Sequence, residues 1–256
     1  MKIAVCVKQI PDPATPYELD SENHFVVRPD DQVLDDTDRY GVEMGLQLAE
    51  TTEGEVVLVS MGPAGSLQGI RQALAMGADK AIVIDDETLR GSGALVTARV
   101  LAAAIEREGV DLVIAGTEST DGYVGVVPQM VAELLGMPAL TFARKVEHSD
   151  GTIRIERQTG GGYDVVETTL PALVTVTSGA VEPRYPTFKG IMAAKQKPID
   201  QPNCADLGVE SPDLVGSGQG IVEVRAAPAR AAGVKVQDEG EAHEEIVALL
   251  EQAKVV

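Results

Sequence analysis

The sequence predicts an α/β fold: a doubly wound, mostly parallel sheet with helices on both faces, an antiparallel extension and a C-terminal arm. Three observations predict it. Apolar runs without polar alternation at residues 2–8, 55–60 and 111–116 have the composition of parallel strands buried on both faces. Between them lie segments with helical apolar spacing, so strand and helix alternate along the chain, an order that implies a parallel sheet. After Gly136 the pattern changes to short β-branched, alternating segments joined by turns, as in antiparallel pairing.

Residues 2–8 form the first strand, and Pro11 and Pro13 interrupt the chain just beyond it. Residues 17–28 read as a hairpin or extended excursion, with Phe25, Val26 and Val27 as its buried part. Asp35 or Asp36 caps a helix running through Glu50, with Val42, Leu46 and Ala49 on one face. Residues 55–60 are the second core strand, and Met61-Gly62-Pro63-Ala64 turns the chain into a helix with Leu67, Ile70 and Leu74, ending at Gly77. Residues 80–84 are a strand that Asp85 and Asp86 end in solvent, and residues 93–107 are a helix with Leu95, Ala98, Ala102 and Ile105 on one side. The strand at 111–116 enters a polar glycine-containing loop. An amphipathic helix comes next, with Val127, Met130, Val131 and Leu134 on one face, Pro128 in its first turn and Gly136 just past its end. Residues 139–146, 152–157, 163–168 and 172–177 are strand-like and are expected to extend the sheet in antiparallel fashion. Residues 182–199 are basic and loop-like, with a short helical piece near 190–195. Beyond Ile199 a Gly/Pro-rich stretch reads as an arm, ending in an amphipathic helix with Ile246, Leu249, Leu250 and Ala253.

The totals narrow the function. A chain of 256 residues can bury the core of one large domain, or of one domain with an appendage. A net charge of −19 argues against nucleic acid or an anionic membrane surface as a partner and allows docking on a basic one. Cys6 and Cys204 make no disulfide framework, which fits a reducing compartment. No run is long and apolar enough for a spanning helix, and the N-terminal residues enter a strand without a signal-peptide layout, so no membrane insertion and a cytoplasmic location are expected. His24, His148 and His243 are scattered in polar contexts, and the aspartates around Asp36 read as helix-start acids, so no metal site is expected. Nucleophile elbows, paired thiols and the glycine-rich phosphate fingerprints are absent. A nucleotide-binding protein without catalytic side chains of its own is favoured.

Ligands of open parallel sheets sit at the carboxyl ends of the strands. Connections after Lys8, around Asp35 to Asp38, at Ser60 to Gly62 and from Gly116 to Val126 converge on that edge. The last of these carries Gly116, Gly122 and Gly125 and feeds a helix N-terminus, where free backbone N–H groups and the helix dipole suit an anion. It reads as a phosphate cradle.

The segment Glu182-Pro183-Arg184-Tyr185-Pro186-Thr187-Phe188-Lys189-Gly190-Ile191-Met192-Ala193-Ala194-Lys195 resembles the β subunits of electron transfer flavoproteins. The likeness covers nearly the whole chain, through Val7-Lys8-Gln9-Ile10-Pro11-Asp12, Ala73-Leu74-Ala75-Met76-Gly77-Ala78-Asp79, the stretch from Asp111 to Gly136, Leu170-Pro171-Ala172-Leu173-Val174-Thr175 and Ala232-Gly233-Val234-Lys235-Val236. It implies an adenine-nucleotide-binding (HUP-like) fold and a heterodimer with an α subunit. The implied cofactors are FAD held mainly by that α subunit and AMP in the β subunit, or a second FAD there in electron-bifurcating relatives. Electrons would come from acyl-CoA or other dehydrogenases and pass to a quinone-linked acceptor. Matching positions imply nucleotide contacts at Cys6, Asp35, Asp36, Thr37, Asp38 and Met61. They continue through Gly116, Thr117, Glu118, Ser119, Thr120, Asp121, Gly122, Tyr123, Val124, Gly125, Val126 and Val127. The docking segment for dehydrogenases would span 182–197, with Glu182, Pro183, Arg184, Tyr185, Phe188, Ile191, Met192 and Lys195 as its contacts. Residues 1–199 would form the nucleotide-binding domain, and 200–256 an arm and helix packing on the α subunit. This chain departs from many relatives in carrying Asp35-Asp36 in place of Asn-Pro, apolar residues at Tyr123 to Val126, Phe188 in place of Leu and Lys189 in place of Pro. A nucleotide-binding stress or regulatory protein of the same α/β type is the alternative from another class, and an adenylating ligase is disfavoured because no glycine-rich loop comes after the first strand.

Overall fold

The structure is a computed structural model that describes residues 1–209, 221–225, 228, 233 and 235–256. By backbone contacts the chain divides into two units, Met1–Gly220 and Ile221–Val256.

The first unit is built on β1 (Lys2–Cys6), β4 (Glu55–Met61), β5 (Lys80–Ile84), β6 (Leu112–Gly116), β7 (Ala139–Ser149), β8 (Thr152–Thr159), β9 (Gly162–Thr169), β10 (Ala172–Val176) and β11 (Ile199–Asp200). These nine form one sheet in the order β11-β5-β4-β1-β6-β10-β7-β8-β9, and β2 (Gln9–Ile10) pairs separately with β3 (Val33–Leu34). From β11 through β7 every pairing is parallel, and only β7–β8 and β8–β9 are antiparallel. The antiparallel extension is therefore shorter than expected, because β10 lies between β6 and β7 and runs parallel to both. The reason is visible in its burial: all of Ala172–Val176 is covered, as in β6, which suits an interior parallel strand and not a half-solvated one.

Helices α1 (Asp38–Thr52) and α2 (Gln68–Met76) cover one face, and α3 (Ala94–Glu108) and α4 (Val127–Leu134) cover the other. Ile3, Val5, Leu58 and Ile114 point into the first layer with Val42, Ile70 and Leu74; Ala4, Val57, Val59 and Val113 point into the second with Val100, Ile105 and Val131. This alternation of faces along each strand explains why the strand sequences themselves show none.

Local departures have physical causes. The excursion makes a single bridge, Leu19 with Val26, and Phe25 and Val27 are exposed. It lies outside both layers, so its apolar residues do not reach the core. Asp35 does not cap α1: the residue before the helix is Thr37, without a side-chain cap, and Asp35 is wholly buried with other partners. Asp86 is not simply solvated. It caps a short 3-10 turn at residues 87–89 and accepts from the Cys204 backbone N–H at 3.1 Å. That contact, with buried Cys204 and half-buried Leu207 and Val209 against α3's layer, ties residues 204–209 to the first unit. In the second unit α6 (Ala242–Gln252) carries Ile246 and Leu249 exposed. The rest of the expected arm, at residues 210–220, 226, 227, 229–232 and 234, lies outside the described residues.

Candidate nucleotide site

At the carboxyl edge of β1, β4 and β6 lies a cavity of about 300 Å³. Cys6 and Met61 reach it from β1 and β4, Asp38 from the first turn of α1, and Gly116, Glu118, Ser119, Gly122, Val124, Gly125 and Val127 from the β6–α4 connection. Of the residues expected here, Asp35, Asp36, Thr37, Thr117, Thr120, Asp121, Tyr123 and Val126 do not line it. Several of these hold its wall instead. The buried Asp35 carboxylate accepts from Thr37 N at 3.0 Å and Oγ1 at 2.8 Å through one oxygen, and from Thr120 N at 2.7 Å and Oγ1 at 3.0 Å through the other. It thus fastens the β6–α4 loop to the start of α1. Asp121, its side chain 2% exposed, accepts from Lys8 Nζ at 2.6 Å and Arg28 Nη2 at 2.5 Å. Asp36 faces solvent, paired with Arg39 at 3.0 Å. Tyr123 and Val126 are exposed on the outer side of the loop, and Thr117 is half-buried.

The floor of the cavity is electrically muted. Burial, with the neighbouring Asp35 adding to it, raises the Asp38 carboxyl well above the usual carboxylate range, and its Oδ2 accepts from the Lys8 backbone N–H at 2.7 Å. Burial and then Asp38 push the Cys6 thiol up to about 12, so it stays protonated and unreactive at neutral pH. Lys8 is the lysine or arginine that lines the cavity among the described residues.

The rim toward α4 is a donor surface. Tyr123 and Gly125 take left-handed backbone, with φ of 50° and 67°. Tyr123 N donates back to Ser119 O at 2.9 Å, but within the described residues no acceptor meets the N–H groups of Val124, Gly125, Val126 and Val127. Val126, the residue before α4, and Val127 are orphan donors of a helix start that has no side-chain cap, and Val124 and Gly125 belong to the loop that enters it. Glycine serves conformation at Gly125, through its positive φ, and space at Gly116, where a Cβ would lie 3.0 Å from the buried Asp38 Oδ1. The residues present therefore fit an anionic, phosphate-bearing group approaching the backbone.

Lys8, Val59, Ser92, Ala94, Thr97 and Leu101 also line the cavity, with Val7, Ala115 and Pro128, and none of these was among the residues expected from the sequence. The signal for Ser92 to Thr97 was available, since the connection after β5 is one more strand end on the same edge.

The segment expected to dock dehydrogenases divides by face. Arg184 donates from Nε to Glu43 Oε2 at 2.7 Å, from Nη2 to Oε1 at 3.0 Å and from Nη1 to Glu50 at 2.6 Å, so it is turned into α1 and is not a free docking cation. Lys197 Nζ donates to the carbonyls of Leu74, Gly77 and Ala78 at 3.1, 3.0 and 2.6 Å, closing the end of α2. Between them Thr187 caps α5 (Phe188–Ala194), accepting from Gly190 N at 3.0 Å. Tyr185 and Phe188 are 85% and 81% exposed, and Ile191, Met192, Glu182 and Lys195 are exposed beside them, while Pro183 is half-buried.

Residues 24–207 match the family model described as the electron transfer flavoprotein domain. Over 99% of both chains the sequence is 42% identical to the electron transfer flavoprotein subunit beta of Mycobacterium tuberculosis. It is 36% identical to the protein of the same name from Syntrophomonas wolfei, over 94% of this chain and 92% of that one. It is also 34% identical to the caffeyl-CoA reductase-Etf complex subunit CarD of Acetobacterium woodii, over 84% of this chain and 83% of that one.

Proposed function

Because the chain belongs to the electron transfer flavoprotein family, aligning end to end with its β subunits, we propose that it is the nucleotide-holding half of a heterodimeric electron carrier. An α subunit holds most of the FAD, which supplies the redox chemistry when bound. This chain contributes no catalytic side chain. It binds AMP in the cavity at the strand ends, stabilises the α–FAD assembly, and offers Tyr185, Phe188, Ile191 and Met192 to dehydrogenases such as those acting on acyl-CoA. Electrons then pass to a quinone-linked acceptor. The exposed apolar residues of α6, Ile246 and Leu249, suit packing on the α subunit.

One observation supports the nucleotide reading: Val124, Gly125 and Val127 line the cavity with N–H groups that meet no acceptor among the described residues, beside a carboxyl, Asp38, that is held toward its neutral form. Lys8 and the amide rim would hold the phosphate, and the apolar wall of Val59, Ala94 and Leu101 would hold the base. At about 300 Å³ the cavity is at the lower end of the roughly 300–1,000 Å³ usual for small-molecule sites, which favours a mononucleotide. The second reading, a bifurcating subunit with its own FAD, draws on the likeness to the caffeyl-CoA reductase complex subunit. Native mass spectrometry of the complex with its α subunit separates them. One FAD and one AMP per heterodimer is expected; two FAD and no AMP favours the second reading, and no nucleotide beyond the α-bound FAD refutes both.

A further inference from the structure

We propose that Arg28 is a positioning residue for the ligand's phosphate: by sharing the Asp121 carboxylate with Lys8, it leaves the Lys8–Asp121–Arg28 triad with a surplus positive charge beside the cavity and holds the glycine loop in place. The inference rests on the phosphate-bearing ligand proposed above.

The geometry is an ion triad. Asp121 Oδ1 receives Lys8 and Oδ2 receives Arg28, at 2.6 and 2.5 Å, with the carboxylate closed off from solvent. A lysine paired one-to-one with an aspartate presents little net charge to a third group. Two cations on one carboxylate leave the triad one positive charge in surplus, and Lys8 is the member that lines the cavity, where that surplus offsets the Glu118 side chain on the same wall. In a chain of net charge −19, that local surplus matters to an anion. Arg28 is itself oriented, its Nη1 donating to Gln32 Oε1 at 3.3 Å and to Gln9 O at 3.5 Å.

The same triad assigns a purpose to the excursion around Leu19 and Val26, which contributes nothing to the core. Its Phe25 ring lies so close to Gly91 that a Cβ there would sit 2.6 Å from Phe25 Cζ. The excursion therefore touches the β5–α3 loop, which reaches the cavity through Ser92, and holds the β6–α4 loop through Arg28 and Asp121. Two rims of one cavity are joined by a segment that lines neither.

The test is equilibrium dialysis of the nucleotide-depleted α–β complex against isotope-labelled AMP and adenosine. Wild type should prefer AMP. Arg28→Gln should lower AMP affinity about tenfold, a loss on the scale of one charge-assisted contact, while adenosine affinity stays within about twofold. Arg28→Lys should restore most of the preference, and Lys8→Gln should abolish it in the same way, since either change removes the surplus charge. Parallel weakening of AMP and adenosine would reduce Arg28 to a structural prop, and unchanged binding would remove it altogether; either overturns the inference. A wild-type complex that binds adenosine as tightly as AMP would instead overturn the phosphate reading beneath it.

Discussion

Replacing Arg184 with alanine tests whether the docking segment is anchored by a buried ion pair. Glu43 has a side chain only 4% exposed, whereas Arg184 is 35% exposed. Removing the guanidinium strips two hydrogen bonds from Glu43 and leaves it the Arg184 backbone N–H at 3.2 Å and Gln47 at 2.8 Å. Breaking a fully buried pair costs about 3–5 kcal/mol. Solvent at the arginine and the two remaining donors reduce this to about 2 kcal/mol, and the exposed Glu50 contact adds about 0–1 kcal/mol. For a chain of this size that is a melting-temperature loss of roughly 4–12 °C. The pH dependence has a definite sign. Burial raises the Glu43 carboxyl, but Arg184 and Gln47 outweigh it, so the folded value lies below the ordinary 4.5. The pair's contribution is complete above the unfolded value and is lost as pH falls through the folded one. Melting curves of wild type and Arg184→Ala should therefore differ at neutral pH and converge in acid. A loss under about 0.5 kcal/mol at neutral pH, within the range of ordinary surface substitutions, or a gap that persists in acid, would refute the argument.

Gly125→Leu forces a left-handed residue to carry a side chain toward Glu118, and should lower nucleotide content per heterodimer with the fold retained; unchanged content would sink the cradle. Phe188→Ala removes a side chain that is 81% exposed, so steady-state reduction by the partner dehydrogenase should slow while the melting temperature moves little. A stability loss approaching the roughly 3–5 kcal/mol of a core phenylalanine would contradict the exposure. Asp38→Asn should be neutral or stabilising at neutral pH: its folded carboxyl is raised above 3.8, so it costs the fold increasingly as pH climbs past that value, and the amide removes the cost. A drop of more than about 1 kcal/mol in urea titrations would contradict this. Deleting residues 244–256 should weaken association with the α subunit more than it destabilises the first unit, which subunit titration and melting curves can compare.

Much of the fold could be read directly because its cause is local. Residues of β1, β4 and β6 are apolar without alternation because both faces are covered, and the helix starts and glycine stops sit within a turn or two of where they act. The position of β10 was not readable in the same way. Its burial profile marks it as interior, but the choice between an edge and a slot beside β6 depends on where the β7–β9 ribbon folds back. At the site, the glycine loop was legible since it combines a strand end with a helix start. The triad was not, because Lys8, Arg28 and Asp121 meet across 20 to 113 positions of sequence that no periodicity connects. Arg184 and Lys197 looked like surface cations for the same reason: their acceptors, Glu43 and the carbonyls ending α2, lie more than a hundred residues away.

The segment joining β10 to β11 begins in the middle of the sheet and ends at its far edge. It crosses the helical layer on α1 and α2, where Gly190 leaves no room for a Cβ, which would lie 2.5 Å from Ala75 O. Its inward residues, Arg184, Gly190, Ala194 and Lys197, are thus committed to the scaffold, and its outward ones, Tyr185, Phe188, Ile191 and Met192, are not. Inheritance can then act on the two sides separately. If the outer face docks redox partners as proposed, it can drift toward a new one by single substitutions that cost the fold little, whereas the inner face can change only in concert with the helices beneath it. An unusual residue at the tip, such as Phe188, is the kind of variation such a division permits.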